Sequence, residues 1–124
     1  MTQVRKKVCL IDDDPDLREI YSLTLNREGY DVSLGKDGAE GLTVIREKHP
    51  DIILLDLQMP IKNGFEVLKE LSADRKLAKI PVIILSNVDG EAAFRQAGEY
   101  ETRFYLVKAL TSPEKVVKVV REVI

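Results

Sequence analysis

The chain has 124 residues, of which 44% are hydrophobic and 32% are charged, which predicts one globular domain over residues 1–124. Lysine and arginine number 19 against 21 aspartates and glutamates, so the net charge of −2 argues against direct nucleic-acid binding. Apolar runs are too short for a signal-peptide core or a membrane span, and we therefore expect a cytoplasmic protein without membrane contact.

The first predicted element is a strand of four apolar residues, 8–11, that runs into three consecutive carboxylates at residues 12–14. It contains the single cysteine, Cys9, which we expect to be a buried thiol. Taken alone, the acids favour a helix cap, since aspartate is preferred at N-caps and Pro15 suits a first helical position. Carboxylates crowded at the end of a buried strand also repel one another, so a positive partner is expected beside them.

Helical and strand patterns alternate along the rest of the chain. Apolar residues at helical spacing from Leu17 to Leu25, Ile20 among them, predict a helix with one buried face that ends at Gly29. The second strand is predicted at 30–34, followed by a loop that contains Gly35 and Gly38. The other predicted strands are 52–55, 82–85 and 104–107, and the other helices are about 37–48, 64–74, 90–98 and 113–124.

This alternation of strand and helix is typical of an α/β fold, a doubly wound five-stranded parallel sheet flanked by five helices. The continuous apolar runs IILL and VIIL fit strands that are buried on both faces. The carboxyl ends of parallel strands lie on one edge of a sheet, where such folds bind ligands. The polar residues that directly follow the strands should therefore meet there: Asp12, Asp13, Asp56, Ser86 and Lys108.

These residue types suit phosphoryl transfer. Carboxylates at a strand edge make a hard oxygen site for Mg²⁺. Asp56 stands alone after its strand and is the natural nucleophile for forming an aspartyl phosphate. Lys108, the Ser86 hydroxyl and the metal can supply the positive charge and hydrogen-bond donors that the phosphoryl oxygens require.

The motifs resemble the receiver domain of bacterial two-component response regulators over essentially the whole chain. The resemblance rests on the acids after the first strand, on DLQMPIKNG with Asp56, on Ser86, and on FYLVK with Tyr105 and Lys108. It implies a flavodoxin-like sheet with strand order 2-1-3-4-5. It also implies a signalling switch rather than an enzyme, phosphorylated by a sensor histidine kinase, a phosphotransfer protein or a small phosphodonor.

The resemblance also implies how the metal is held. Asp13, Asp56 and the backbone carbonyl of Gln58 would bind Mg²⁺, and Asp12 would assist through water. Asp14 is expected outside this ligand set. The side chains two positions beyond Asp56 and Ser86 influence phosphate hydrolysis in receiver domains. Because the second of these is Val88, which cannot orient water, we expect a long-lived aspartyl phosphate.

A further implication concerns the output. Ser86 is expected to swing toward the phosphoryl group, and Tyr105 matches the switch aromatic of the family. The surface so altered comprises the fourth helix, fifth strand and fifth helix, where a homodimer or an output partner is expected. The valines of the last helix spread over roughly 160° at 100° per residue, wider than one core-facing stripe needs. Val117 and Ile124 are therefore expected at the margin of a partner surface.

The chain departs from the family pattern at three places. Ala109 stands where a proline usually follows the lysine, so the pattern does not fix how Lys108 is presented. Asn87 stands where a small residue usually follows the hydroxyl residue, and it is expected to crowd the phosphoryl pocket. The segment EYETRF lengthens the connection before the last strand, which predicts a remodelled fourth helix or exit loop.

Two alternatives remain open from the sequence. A phosphorylation-independent, receiver-like interaction module is suggested by Asn87 and Ala109. A haloacid-dehalogenase-like phosphatase is suggested by the pair Asp12 and Asp14, although that family expects threonine or valine where Asp16 stands. Phosphorylation by acetyl phosphate separates the first alternative, and steady turnover of a phosphomonoester would favour the second.

Overall fold

The computed structural model describes residues 4–88 and 90–124, and this part of the chain alternates strands with helices as the sequence predicts. None of its helices combines the length and apolar character needed to cross a bilayer. The elements are β1 (Lys7–Ile11), α1 (Pro15–Arg27), β2 (Asp31–Gly35), α2 (Gly38–Lys48), β3 (Ile52–Leu55), α3 (Gly64–Ser72), β4 (Val82–Ser86), α4 (Glu91–Ala97), β5 (Thr102–Val107) and α5 (Pro113–Val123), with short 3₁₀ turns at Leu77–Lys79 and Lys108–Leu110.

The strands form one parallel sheet in the order β2-β1-β3-β4-β5, which confirms the doubly wound, flavodoxin-like fold. Alternate residues of a strand point to opposite faces, so the sheet separates two apolar cores. Cys9 and Ile11 lie in the core that contains residues of α2 and α3, whereas Val8 and Leu10 lie in the core formed with α1 and α5. Cys9 is buried as predicted, and burial raises the pKa of its thiol to about 12.

The second strand lies one residue further along the chain than predicted. Gly35, expected in the following loop, is the buried last residue of β2, and Gly38 begins α2 rather than belonging to that loop. A Cβ atom on Gly35 would lie 2.8 Å from the Cα of Gly41, so the backbones of β2 and α2 approach too closely for a side chain there. Gly35 therefore serves the packing of β2 against α2.

The predicted buried face of α1 is only partly correct. Tyr21 and Leu25 are buried and Leu17 is half-buried, but Ile20 remains 47% exposed. The buried residues follow an i, i+4, i+8 stripe, which is the width that contact with α5 and the sheet requires. Ile20 lies beside this stripe, and the spacing rule alone did not separate the two positions.

The expectation that Val117 of α5 lies at the margin of a partner surface is wrong. Val117 is only 5% exposed and Ile124 is partly buried, and both pack with the core that contains Tyr21 and Leu25 of α1. The helix contacts α1 as well as the sheet, so it needs a wider apolar face than a helix with one neighbour. The buried valines of α5 are Val116, Val117, Val119 and Val120.

The lengthened connection before the last strand enters the sheet as a bulge. The helix α4 has seven residues, and the Thr102 hydroxyl donates a hydrogen bond to the Ala97 carbonyl at its end. Val82 pairs with Thr102 but the next residue, Ile83, pairs with Phe104, so Arg103 is an extra residue in β5. The predicted remodelling therefore includes the strand itself.

Candidate functional site

Three residues at the carboxyl ends of different strands meet as predicted, and Ser86 lies at the carboxyl end of a fourth strand. Asp12 follows β1, Asp56 follows β3, Ser86 ends β4 and Lys108 follows β5. The Lys108 Nζ atom lies 2.7 Å from Asp12 Oδ2 and 2.9 Å from Asp56 Oδ2, and the side chains of the three residues are at most 7% exposed. Lys108 is thus the positive partner that the crowded carboxylates require.

The electrostatics of this cluster combine burial with pairing. Burial has the largest influence on the pKa of Lys108 and lowers it, but the hydrogen bonds and charges of Asp12 and Asp56 together outweigh burial and raise that pKa. Burial raises the pKa of Asp12, and the contacts with Lys108 and the Asp14 N–H offset only part of this effect. Lys108 therefore stays an ammonium at neutral pH, facing carboxylates in a poorly solvated site.

The carboxylates can also hold a metal ion. Asp12, Asp13 and Asp56 offer oxygen atoms that all lie within 4.8 Å of one another, with Asp13 exposed and the other two buried. The buried Asp12 Oδ2 is ion-paired with Lys108 at 2.7 Å, whereas Asp13 faces solvent. A donor set of three carboxylates with one exposed member fits a hard cation such as Mg²⁺.

Asp14 has a different role from the two acids before it. Its Oδ1 atom accepts hydrogen bonds from the backbone N–H groups of Asp16, at 3.0 Å, and Leu17, at 3.3 Å, so it is the N-cap of α1. The N–H of Asp14 donates to Asp12 Oδ1 at 2.9 Å. The acidic run thus combines both sequence interpretations, since one acid caps the helix and two join the cluster.

The loop from β3 to α3 is fixed mainly by backbone contacts. The N–H of Gln58 donates to Asp56 Oδ1 at 3.3 Å, and the N–H of Gly64 donates to the Leu57 carbonyl at 3.0 Å. A Cβ atom on Gly64 would lie 2.3 Å from the Asp56 carbonyl oxygen, so this position requires glycine. Asn63 closes the loop by forming a capping box at the start of α3.

Ser86 and Tyr105 are connected through the loop from β4 to α4. The buried Ser86 Oγ accepts a hydrogen bond from the N–H of Val88 at 3.2 Å, and the Tyr105 hydroxyl donates to the Val88 carbonyl. The half-buried Tyr105 ring packs at 5.9 Å, centroid to centroid, from the ring of Phe94 on α4. Both residues predicted as the switch therefore contact one short segment.

The two departures next to Ser86 and Lys108 are joined to each other. Asn87 is exposed, and its Oδ1 atom accepts a hydrogen bond from the N–H of Ala109 at 3.1 Å. The described residues contain no cis peptide bond, and Lys108 reaches both Asp12 and Asp56 with this backbone. The sequence analysis noted Asn87 and Ala109 separately and did not predict their contact. The only indication of the contact in the sequence is that both residues depart from the family pattern.

Two openings give access to the site. A cavity of about 390 Å³ is lined by Asp13, Asp14, Leu17, Asp56, Gln58, Asn87 and Lys108. Beside it, a cleft of about 580 Å³ is lined by Asp13, Leu57, Gln58, Met59, Pro60, Asn63, Phe65 and Val88. A reactant can therefore approach Asp56 from solvent past Gln58 and Asn87.

Comparison with known proteins gives a consistent family assignment. The family model described as the response regulator receiver domain matches residues 8–121. The chemotaxis protein CheY4 of Vibrio cholerae superposes with a TM-score of 0.90 at 27% identity, covering 98% of this chain and 100% of that one. The receiver domain of the Francisella response regulator 1452 superposes with a TM-score of 0.86 at 28% identity, covering 96% of each chain.

Curated relatives are longer than this chain. The DNA-binding response regulator MtrA of Mycolicibacterium smegmatis is 38% identical over 86 residues, which is 69% of this chain and 36% of the relative. MtrA of Mycobacterium tuberculosis is 37% identical over 86 residues with the same coverage, 69% and 36%. The matched region thus spans about a third of the length of these relatives.

Proposed function

Since the chain belongs to the family of response regulator receiver domains, we propose that it is a phospho-accepting switch in which Asp56 takes the phosphoryl group. Receiver domains are signalling switches of two-component systems rather than metabolic enzymes. The donor would be a sensor histidine kinase, a phosphotransfer protein or a small phosphodonor. The observation that carries the proposal is the buried contact of Lys108 with Asp56, beside an acidic cluster that opens to solvent.

The chemistry follows from the contacts of Asp56. One carboxylate oxygen attacks phosphorus, the bond from phosphorus to the donor nitrogen breaks, and the departing imidazole takes a proton from solvent. The Gln58 N–H and the Lys108 ammonium orient the carboxylate before attack. As the phosphoryl group arrives, Lys108 and the Ser86 hydroxyl donate hydrogen bonds to its oxygens and balance its charge.

The acidic cluster would hold Mg²⁺ through Asp13, Asp56 and the Gln58 carbonyl, with Asp12 acting through water. When bound, Mg²⁺ supplies positive charge that offsets the repulsion between the carboxylates and the phosphoryl oxygens. Asp12 and Asp13 thereby position the cation beside Asp56. Asp13→Asn is expected to weaken Mg²⁺ binding, because it removes one charged ligand.

The proposed output surface is the face formed by α4, β5 and α5. Phosphorylation would draw Ser86 toward Asp56 and free Tyr105 to rotate inward, which shifts an equilibrium between two packings. The exposed apolar rings on this face are Phe94, 62% exposed, and Phe104, 39% exposed. We propose that this face binds a second copy or an output partner, in the cytoplasm and without direct nucleic-acid contact by this chain.

The proposal is tested by phosphorylation with acetyl phosphate and Mg²⁺, followed by intact mass analysis. The wild-type chain should gain one phosphoryl group, removal of Mg²⁺ by a chelator should prevent it, and Asp56→Asn should abolish it. Asp14→Asn is the matched control, since Asp14 caps α1 and lies outside the cluster. Label retained in Asp56→Asn at the wild-type level would show that another residue is the acceptor.

The same experiment separates the alternatives. An unlabelled wild-type chain that still binds a partner would support the phosphorylation-independent module. Steady release of phosphate from a phosphomonoester would support the phosphatase. The geometry weighs against the phosphatase, because the Asp14 carboxylate is engaged by two N–H groups of α1 rather than directed to a substrate.

A further inference from the structure

We infer that Asn87 is a positioning residue that, by bonding to Ala109, holds the switch loop (residues 86–88) in the arrangement in which Ser86 is bonded to Val88. The Asn87 Oδ1 atom accepts the Ala109 N–H at 3.1 Å, across 22 residues of sequence. The bond joins the residue after Ser86 to the residue after Lys108. The inference rests on the proposed function, because it concerns the transition that phosphorylation of Asp56 would drive.

Within the described residues, side-chain hydrogen bonds join residues 86–88 to each other and to the segments beside them. Val88 donates its N–H to Ser86 Oγ and accepts from the Tyr105 hydroxyl, and Asn87 accepts from Ala109. Rotation of the Ser86 hydroxyl toward Asp56 would break its bond with the Val88 N–H, so the proposed transition shifts this segment. Each bond therefore opposes the shift, and the bond of Asn87 is the one that ties the segment to the turn beginning at Lys108.

The bond depends on both departures from the family pattern. It requires a side-chain carbonyl at position 87 and a backbone N–H at position 109, which a proline cannot supply. The N–H of Ala109 also fixes the orientation of the Asn87 amide, because only the oxygen of that amide can accept. The two residues thus act as one unit, although each looks like an isolated exception in the sequence.

The bond favours the arrangement in which it forms, so a phosphoryl analogue must bind against it. A net hydrogen bond changes an equilibrium by roughly two- to tenfold. Loss of the bond should therefore tighten binding of beryllofluoride to Mg²⁺-loaded protein by about two- to tenfold. Affinity for Mg²⁺ alone should not change, because Asp12, Asp13 and Asp56 are untouched.

The experiment compares the full chain as wild type, Asn87→Ala, Ala109→Pro and the double variant, with Ala109→Gly as a control that keeps the N–H. Beryllofluoride is titrated at saturating Mg²⁺ by isothermal calorimetry. We expect tighter binding in both single variants, no further gain in the double variant, and wild-type affinity in Ala109→Gly. Ala109→Pro also restrains the backbone of residue 108. If the two single variants give different results, the result for Asn87→Ala therefore decides.

A second measurement does not depend on phosphoryl chemistry. The Ala109 amide should exchange its hydrogen faster in Asn87→Ala than in wild type, and equal rates would overturn the inference. Unchanged or weaker beryllofluoride binding in Asn87→Ala would also overturn the inference. A gain in affinity in the double variant equal to the product of the two single gains would overturn it as well. If the wild type neither binds beryllofluoride nor takes label from acetyl phosphate, the proposed function fails and the inference falls with it.

Discussion

The two halves of the site are held together in different ways. The acidic half consists of the loops after β1 and β3, where backbone N–H groups bind Asp12 and Asp56 and Gly64 lies against the Asp56 carbonyl. The switch half consists of the loops after β4 and β5, where side chains of Tyr105 and Asn87 make the connections. Backbone N–H groups thus help to fix the two carboxylates, which Lys108 also contacts, whereas the segment 86–88 depends on bonds that side-chain rotation can break.

One strand of the switch half differs from the other three strands behind the site. The last four residues of β1 and all residues of β3 and β4 are buried, whereas no residue of β5 is fully buried. Segments with few buried apolar contacts open at lower free energy than core strands. The acidic half should therefore tolerate little change, and the switch half should adjust at a modest energetic cost.

The largest effect on stability is expected from Gly64→Ala in the acidic half. The added Cβ would meet the Asp56 carbonyl oxygen at 2.3 Å, so we expect a loss of about 1–3 kcal/mol in the free energy of unfolding, measured by urea denaturation. Gly98→Ala, at the end of α4, is the control, since the atom nearest to its added Cβ would lie 3.4 Å away. Equal losses in the two variants would contradict the comparison.

The pH dependence of stability tests how completely Cys9 is buried in β1, the strand that leads into the acidic half. Burial raises the pKa of its thiol from 9.0 to about 12, so above pH 9 the unfolded chain loses a proton that the folded chain keeps. Stability should therefore fall between pH 9 and 12, by about 1.4 kcal/mol from this thiol at pH 10. Cys9→Ala should be less stable at pH 8 but show a smaller decline from pH 8 to 10. Parallel declines would show that the thiol ionises in the folded state.

Tyr105→Phe should lower the free energy needed to open the switch half by about 1 kcal/mol. The variant loses the hydroxyl that donates to the Val88 carbonyl and keeps the ring that packs on Phe94. Amide hydrogen exchange should accelerate at residues 86–88 and remain unchanged at residues 12–14. Tyr100→Phe provides the matched control, and equal acceleration at both segments would argue against separate halves.

The smallest effect is expected from Val88→Glu on the lifetime of the proposed aspartyl phosphate. Val88 lines the cleft beside Gln58 and cannot orient an attacking water, whereas a carboxylate can. We expect dephosphorylation to become roughly threefold faster, since the new group would be positioned less well than a typical catalytic base. The decay of the phosphorylated mass gives the rate, and Val88→Leu should retain the wild-type lifetime. An unchanged rate in Val88→Glu would refute the expectation of a long-lived phosphate.

Most of the fold could be predicted because its central strands, β1, β3 and β4, are buried on both faces. Four-residue apolar runs between helical patterns leave few alternatives, and the run Ile52–Leu55 matches β3 residue for residue. The errors in the two helices concern which neighbouring element each helix face contacts. The exposure of Ile20 and the burial of Val117 depend on how α1 packs against α5, and hydrophobic spacing within one helix does not specify its partner.

The candidate site was predictable to the extent that it follows from strand ends. Parallel topology alone brings Lys108 to Asp12 and Asp56, and the structure places them within hydrogen-bond distance. The division of the acidic run, with Asp14 as the cap of α1, depends on local backbone direction. The contact between Asn87 and Ala109 joins two loops, and no local sequence rule predicts such a pairing.

The extra residue in β5 bears on how the chain avoids self-assembly through its sheet. Within the described residues, β5 is an edge strand of the sheet and pairs with β4 alone. An unpaired strand edge is a template for aggregation. The bulge interrupts the regular row of backbone groups, and Arg103, ion-paired with Glu101 at 3.2 Å, adds charge along it. This edge is a poor template for an added strand. Phe104 can therefore remain 39% exposed on a strand that resists fibril-like stacking.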